Sequence, residues 1–162
     1  MNRVFLLTGG NLGEKRSNLL KAADLIEKKV GEIIRRSSLY ETEAWGKTDQ
    51  PAFLNQVLEI ETPVSAQAVL DSILSIEEEM GRFRQEKYGP RIIDIDILFY
   101  NDEQYRLPQL TVPHPRIQDR RFVLEPLAEI APELAHPVLK LSIQELLDQC
   151  FDTLAVRKLP EL

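Results

Sequence analysis

Apolar positions along this chain fall into short runs of two kinds. Residues 3–8 (RVFLLT) form a nearly unbroken apolar run of strand length, closed by Gly9, Gly10, Asn11, Leu12 and Gly13. Over 14–30 the pattern changes: Leu19, Ala22, Ala23, Ile26 and Val30 recur at helical spacing, and Gly31 is a natural stop. Residues 33–42 predict a second strand, followed by a loop carrying Trp45, Gly46 and Pro51. The alternation in 53–61 (FLNQVLEIE) predicts a third. A second helical stripe, Val69, Leu70, Ile73, Leu74 and Ile76, runs through 65–80, with Gly81 just past its end. A polar stretch, 82–91, leads into an apolar strand over 92–100, where Asn101-Asp102 predicts a tight hairpin turn into a short strand ending near Leu107.

The order is β-α-β-β-α-β, the split βαβ pattern of ferredoxin-like folds. The expected class is α+β: a ferredoxin-like βαββαβ core, an antiparallel sheet with helices packed on it, plus a hairpin and extra short C-terminal helices. Seven of the ten prolines fall from Pro108 onward, which favours short helices and loops draped over the core. Ser142 with Glu145 three residues on predicts a capping box for a helix over 143–150. No repeat, low-complexity tract or linker interrupts 1–162, so a single domain is expected.

Composition narrows the class. The chain has 162 residues, 43% apolar and 28% charged, as in ordinary globular domains. A net charge of −6 argues against a protein that coats nucleic acid. The longest apolar run near the start, 4–7, is too short for a signal peptide or membrane span. Cys150 stands alone, so no internal disulfide forms and a reducing, cytoplasmic location is expected; its thiol reads as an inert core group. Charge is nonetheless uneven: eight of the twenty basic residues lie within 82–121. A basic cluster in an acidic protein suits a small polyanion such as a nucleoside triphosphate, the plain alternative being a solvated charged face.

Segment 82–99 (RFRQEKYGPRIIDIDILF) carries the chemistry. Its β-branched centre predicts a strand, on which Asp94 and Asp96 share one face and Ile95 and Ile97 the other. Two aspartates on one face, about 6–7 Å apart along the strand, repel each other unless a cation or arginines intervene. Mg²⁺ uses one or two carboxylates plus substrate phosphates. Arg82, Arg84 and Arg91 can fork onto phosphate oxygens and Lys87 adds a point charge. Positioning, metal and positive charge are what phosphoryl-type transfer requires. A solvated acidic face, or aspartates paired with these arginines, is the plain structural alternative.

The stretch KYGPRIIDIDIL, 87–98, resembles the signature of 6-hydroxymethyl-7,8-dihydropterin pyrophosphokinases: a basic residue, then G-P-R-x-x-D, an aliphatic, D and two aliphatics. GGNLGE resembles that family's G-S-N-L-G segment, DQPAFLNQV its D-Q-P-x-[FY]-L-N stretch, and LTVPHPRIQDRRFVLEPLAEIAP its C-terminal block. The resemblance takes in nearly the whole chain and implies a ferredoxin-like fold, with no fused folate-pathway domain expected. It further implies transfer of pyrophosphate from Mg·ATP to the pterin hydroxymethyl group, giving AMP. By matching position, Asp94 and Asp96 would hold two Mg²⁺ ions, and Arg82 and Arg91 would contact the polyphosphate. Ile97, Leu110 and Thr111 would line the adenine site, with Glu77, Arg84, His114 and Arg120 on the nucleotide side. Phe53 and Phe122 would stack on the pterin, Asn55 would read its edge, and Thr42 with the loop through Trp45 would complete the pocket. The chain departs from the pattern at Gly10, where serine is usual, and at Phe53, where some relatives have tyrosine. GGNLG lacks the lysine of a Walker A loop.

Two other classes compete. A two-metal phosphohydrolase or nuclease would use the same carboxylates but usually needs more acidic ligands. A non-enzymatic ferredoxin-like binding module would leave the strand aspartates unexplained. Partners are expected to be the two small-molecule substrates, with no nucleic acid, no membrane and a monomeric chain. Residues 82–91, bracketed by Gly81 and Gly89, read as an arginine-bearing lid.

Overall fold

The computed structural model describes residues 1–43, 50–81 and 92–160. The core elements follow in the expected order: β1 (Asn2–Gly10), α1 (Lys15–Lys29), β2 (Glu32–Arg36), β3 (Tyr40–Thr42), β4 (Phe53–Thr62), α2 (Ala66–Glu79) and β5 (Asp94–Tyr100). β1 lies between β5 and β4, and β2 and β3 both pair with the far edge of β4, every pairing antiparallel. This is the ferredoxin-like sheet, its fourth position filled by two short strands.

The split between β2 and β3 has a local cause. Ser37 donates its N–H to the Val57 carbonyl at 2.9 Å, but Val57 N–H donates to the Ser37 hydroxyl, also at 2.9 Å. A side chain has replaced a ladder carbonyl, and regular pairing resumes only at Tyr40.

Two apolar layers cover the sheet. On one face α1 and α2 bury Ile26, Ile73 and Ile76 completely against Leu6, Leu58 and Ile60 of the strands. Each such side chain contributes about 1.5–3 kcal/mol. Ser65 caps α2 by accepting Ala68 N–H at 3.2 Å. On the other face lie α3 (Arg121–Ile130) and α4 (Ile143–Asp148), with Val123, Leu124 and Leu127 packed on Phe5, Val57 and Phe99. The Ser142–Glu145 capping box is formed, and Cys150 packs partly buried beside this second layer. Among the described residues no helix is long and apolar enough to cross a membrane.

Three details depart from the expected pattern. The turn at Asn101-Asp102 is present, with Asn101 at φ 51°, but the strand after it, β6 (Tyr105–Leu107), pairs with β7 (Leu110–Val112) and not with β5. The outer edge of β5 is already engaged: Ile95 N–H donates to the Glu77 carboxylate at 2.8 Å, and the Leu98 carbonyl accepts His114 N–H at 3.1 Å. An eighth strand, β8 (Val156–Lys158), extends the sheet beyond β3. Within β5 the register slips once: Leu6 faces Ile97 while Phe5 faces Phe99, so Leu98 is an extra residue, a β-bulge.

Candidate active site

The register places three residues in one row across the sheet. Gly9 of β1 sits opposite Asn55 of β4 on one side and opposite Asp94 of β5 on the other. In the next row on the same face, Leu7 lies between Val57 and Asp96. The period-two reading of β5 therefore holds: Ile95 and Ile97 are buried under α1 and α2, while Asp94 and Asp96 turn to the opposite face and line a pocket there. Two strand spacings separate Asn55 from Asp94, about 10 Å.

That pocket is walled by Thr42, Glu43 and Phe53 on one side and by His114, Arg120, Phe122 and Val123 on the other. Leu7, Gly9 and Leu98 form its floor. Eight residues singled out from sequence thus meet in a single cavity: Thr42, Phe53, Asn55, Asp94, Asp96, His114, Arg120 and Phe122. Glu77, Ile97, Leu110 and Thr111 do not line it. Ile97 and Leu110 are buried in the layer beneath α1 and α2, Glu77 holds the edge of β5, and Thr111 is exposed beside a separate cavity that also touches His114. Trp45, Arg82, Arg84 and Arg91 lie outside the described residues, as does the lid expected over 82–91.

Asn55 is the most informative wall residue. It is almost fully buried, its amide nitrogen donates to the Thr8 carbonyl at a long 3.4 Å, and its Oδ1 has no hydrogen-bond partner. A buried amide oxygen left unpaired costs about 1–3 kcal/mol, so it marks a place where a donor is to be supplied. Gly9 makes the arrangement possible. A Cβ there would stand 2.1 Å from Asn55 Nδ2, so only glycine leaves the amide room to lie across β1. Sequence reading passed over this role, although Gly9 lies two residues beyond Leu7 and so on the same strand face.

His114 is held as a neutral ring. Burial, then the charges of Arg120 and Arg116, pull its pKa down to about 4. Its Nδ1 accepts Arg116 N–H at 3.2 Å, which leaves the ring proton on Nε2. Arg120 lies 5.7 Å from the centre of the Phe122 ring, a cation–π contact that ties cation and aromatic wall together. Among the described residues no group of three or more His, Cys, Asp or Glu could hold a metal ion. The pocket offers two carboxylates from one strand face. That set leaves most of a hard cation's coordination sphere to substrate oxygens and water, which fits Mg²⁺ and not a metal needing an all-protein cage.

A pocket with two strand aspartates, a third carboxylate at Glu43, an arginine, a neutral imidazole and two aromatic walls suits a small-molecule transferase of the phosphoryl type. The profile of the 7,8-dihydro-6-hydroxymethylpterin-pyrophosphokinase family matches residues 5–132. A 2-amino-4-hydroxy-6-hydroxymethyldihydropteridine pyrophosphokinase of Aquifex aeolicus is 43% identical over 145 residues, 90% of each chain. One from Bacillus subtilis is 40% identical over 134 residues, 82% of this chain and 80% of that one. The fold matches the Plasmodium falciparum HPPK-DHPS structure with pteroate at a TM-score of 0.76 and 23% identity, over 91% of this chain and 42% of the other. The chain belongs to the 7,8-dihydro-6-hydroxymethylpterin-pyrophosphokinase family. It is an ATP-dependent pyrophosphoryl transferase of folate biosynthesis.

Proposed function

We propose that this chain, as one domain over 1–162 and a cytoplasmic monomer, transfers pyrophosphate from Mg·ATP to the hydroxymethyl group of 6-hydroxymethyl-7,8-dihydropterin. The observation that carries the reading is the orphaned Asn55 Oδ1 facing a pocket that also presents Asp94 and Asp96. A pterin is flat, edged with N–H donors, and carries its reacting hydroxyl on one side. Phe53 and Phe122 would receive its faces, and Asn55 its donor edge. With Asn55 about 10 Å from Asp94 along the row, the hydroxymethyl group would point toward the carboxylates.

Asp94 and Asp96 would hold two Mg²⁺ ions, which supply charge neutralisation to the polyphosphate when bound. The hydroxymethyl oxygen attacks the β-phosphorus of ATP. The bond from that phosphorus to the α-bridging oxygen breaks, AMP leaves, and the hydroxyl proton passes to solvent. Arg120 and the Nε2–H of His114 would meet phosphate oxygens as charge shifts toward the leaving group. Arg82 and Arg91 would contribute further positive charge, and Arg84, Glu77, Ile97, Leu110 and Thr111 would serve the nucleotide. Thr42 and Trp45 would close the pterin side.

Product analysis tests this directly. Incubated with ATP, Mg²⁺ and the hydroxymethyl-dihydropterin, the protein should yield AMP and pterin diphosphate in equal amounts. ADP would mark an ordinary kinase and inorganic phosphate a hydrolase, and either result rejects the proposal.

A further inference from the structure

The last ten described residues lie beyond the family-matched region, which ends at 132, yet they touch both walls of the pocket. On one side β8 pairs with β3, setting Thr42 opposite Val156, and the Thr42 hydroxyl donates to the Ala155 carbonyl at 3.1 Å. On the other side Asp152 reaches the start of α3. That helix has no cap of its own, because Arg120 occupies the N-cap position and its side chain makes no capping bond. Asp152 supplies the missing acceptor from a distance of 31 residues: its Oδ2 takes Arg121 N–H at 3.0 Å, and its carbonyl takes Arg121 Nε–H at 3.2 Å. Its Oδ1 accepts Leu154 N–H at 3.0 Å, which shapes the turn leading into β8.

We infer that 152–158 is a brace joining the two walls of the pterin pocket, and that Asp152 is a positioning residue for pterin binding. Three residues carry the whole span. Asp152 fixes the first turn of α3, from which Arg120 and Phe122 enter the pocket. Ala155 fixes the hydroxyl of Thr42, and Val156 fixes its backbone. Only three residue steps, at most about 10–11 Å of chain, join Asp152 to Ala155, so the two anchor points are tied closely together. The separation of the walls, and with it the fit around a flat ring, is on this reading set by a segment none of whose residues lines the pocket. A carboxylate at a helix N-terminus also opposes the positive end of the helix dipole, which strengthens the hold.

The inference rests on the pterin reading of the pocket, and its test separates the two. Asp152→Ala and Asp152→Asn are compared with the parent chain in steady-state kinetics, varying the hydroxymethyl-dihydropterin at saturating Mg·ATP and then the reverse. Asp152→Ala should raise the pterin KM about tenfold, the size expected when a helix cap is lost, with a smaller rise in the ATP KM and a smaller fall in kcat, because the same turn carries Arg120 as well as Phe122. Asp152→Asn keeps an oxygen acceptor and should recover most of the affinity. Loss of kcat with unchanged pterin KM, or equal rises in both KM values, would make Asp152 a stability residue and overturn the inference. Hydrogen exchange read on the same proteins needs no turnover. In Asp152→Ala the amides of 121–124 and 40–43 should exchange faster together, while those of 4–8 stay protected. If the parent shows no pterin turnover, the functional reading falls and exchange alone decides. Unchanged protection at either wall then overturns the brace.

Discussion

Replacing Asn55 with leucine should make this protein more stable and worse at binding its pterin. Leucine keeps the heavy-atom count and branching of asparagine while replacing its amide oxygen and nitrogen with bulkier methyl groups, so the polar atoms go. In the free protein the unpaired Oδ1 costs about 1–3 kcal/mol, and the return is one long bond from Nδ2 to the Thr8 carbonyl at 3.4 Å, worth at most about 1 kcal/mol. Removing both leaves a net gain of about 1 kcal/mol, or roughly 2–4 °C in melting temperature for a chain of this size. Binding moves the other way. The complex gains a hydrogen bond and relieves the orphan, together about 2–3 kcal/mol. The variant should therefore bind the hydroxymethyl-dihydropterin some 30–150-fold more weakly, at about 1.4 kcal/mol per tenfold. Calorimetric melting without ligand gives the first quantity, and titration with pterin in the presence of a non-hydrolysable ATP analogue gives the second. Opposite signs are the signature of an amide kept for a ligand. A variant that melts lower than the parent by several degrees would show that Asn55 is a structural amide, and the reasoning from its orphaned oxygen would be wrong.

The charge of Asp96 should matter only to turnover: Asp96→Asn should fold normally and lose at least about a hundredfold in kcat, and near-normal rates at saturating Mg²⁺ would refute its metal role. Phe122→Ala should weaken pterin binding by more than the ~0.5–1.5 kcal/mol of an aromatic pair and leave ATP affinity nearly unchanged; equal weakening of both ligands would mark Phe122 as a packing residue. His114 predicts an acid sensitivity. Its folded pKa of about 4 lies below the unfolded value of 6.5, so the unfolded chain takes the proton more readily. Stability is whole above about pH 6.5, falls as pH drops toward 4 by on the order of 3 kcal/mol, and levels off below. In His114→Gln the drop in melting temperature between pH 7 and pH 4.5 should shrink by several degrees, with His136 still present in both proteins; an unchanged drop would refute the assignment.

What the sequence made legible was whatever depends on local period. The alternation in 92–100 put both aspartates on one face, and the helical stripes in 14–30 and 65–80 located α1 and α2 within a residue or two. Features set by a partner stayed hidden. Residues 33–42 read as one strand because the exchange of a carbonyl for the Ser37 hydroxyl depends on Val57 across the sheet. β8 has only three residues and owes its existence to the open edge of β3. The ten-residue α3 was masked by Pro126 inside it, a residue that signals a break when read alone. At the site, side-chain types announced Asp94, Asp96 and Asn55, and the family resemblance alone pointed to Phe53, but the floor at Gly9 is a statement about space, and only the neighbouring strands define that space.

Counting faces along β5 shows what the bulge is for. Ile97 and Tyr100 belong to the layer under α1 and α2, whereas Leu98 and Phe99 both belong to the opposite layer. Strike Leu98 out and the remaining residues still alternate correctly, Ile97 opposite Leu6 and Phe99 opposite Phe5, in an unbroken ladder with β1. As far as strand pairing goes, this residue is surplus. What it brings is a side chain in the pocket floor and a carbonyl turned out of the ladder to take His114 N–H. A shorter chain would keep a regular strand while losing the anchor of its imidazole. The irregularity therefore belongs to the chemistry, and the scaffold carries it as a passenger.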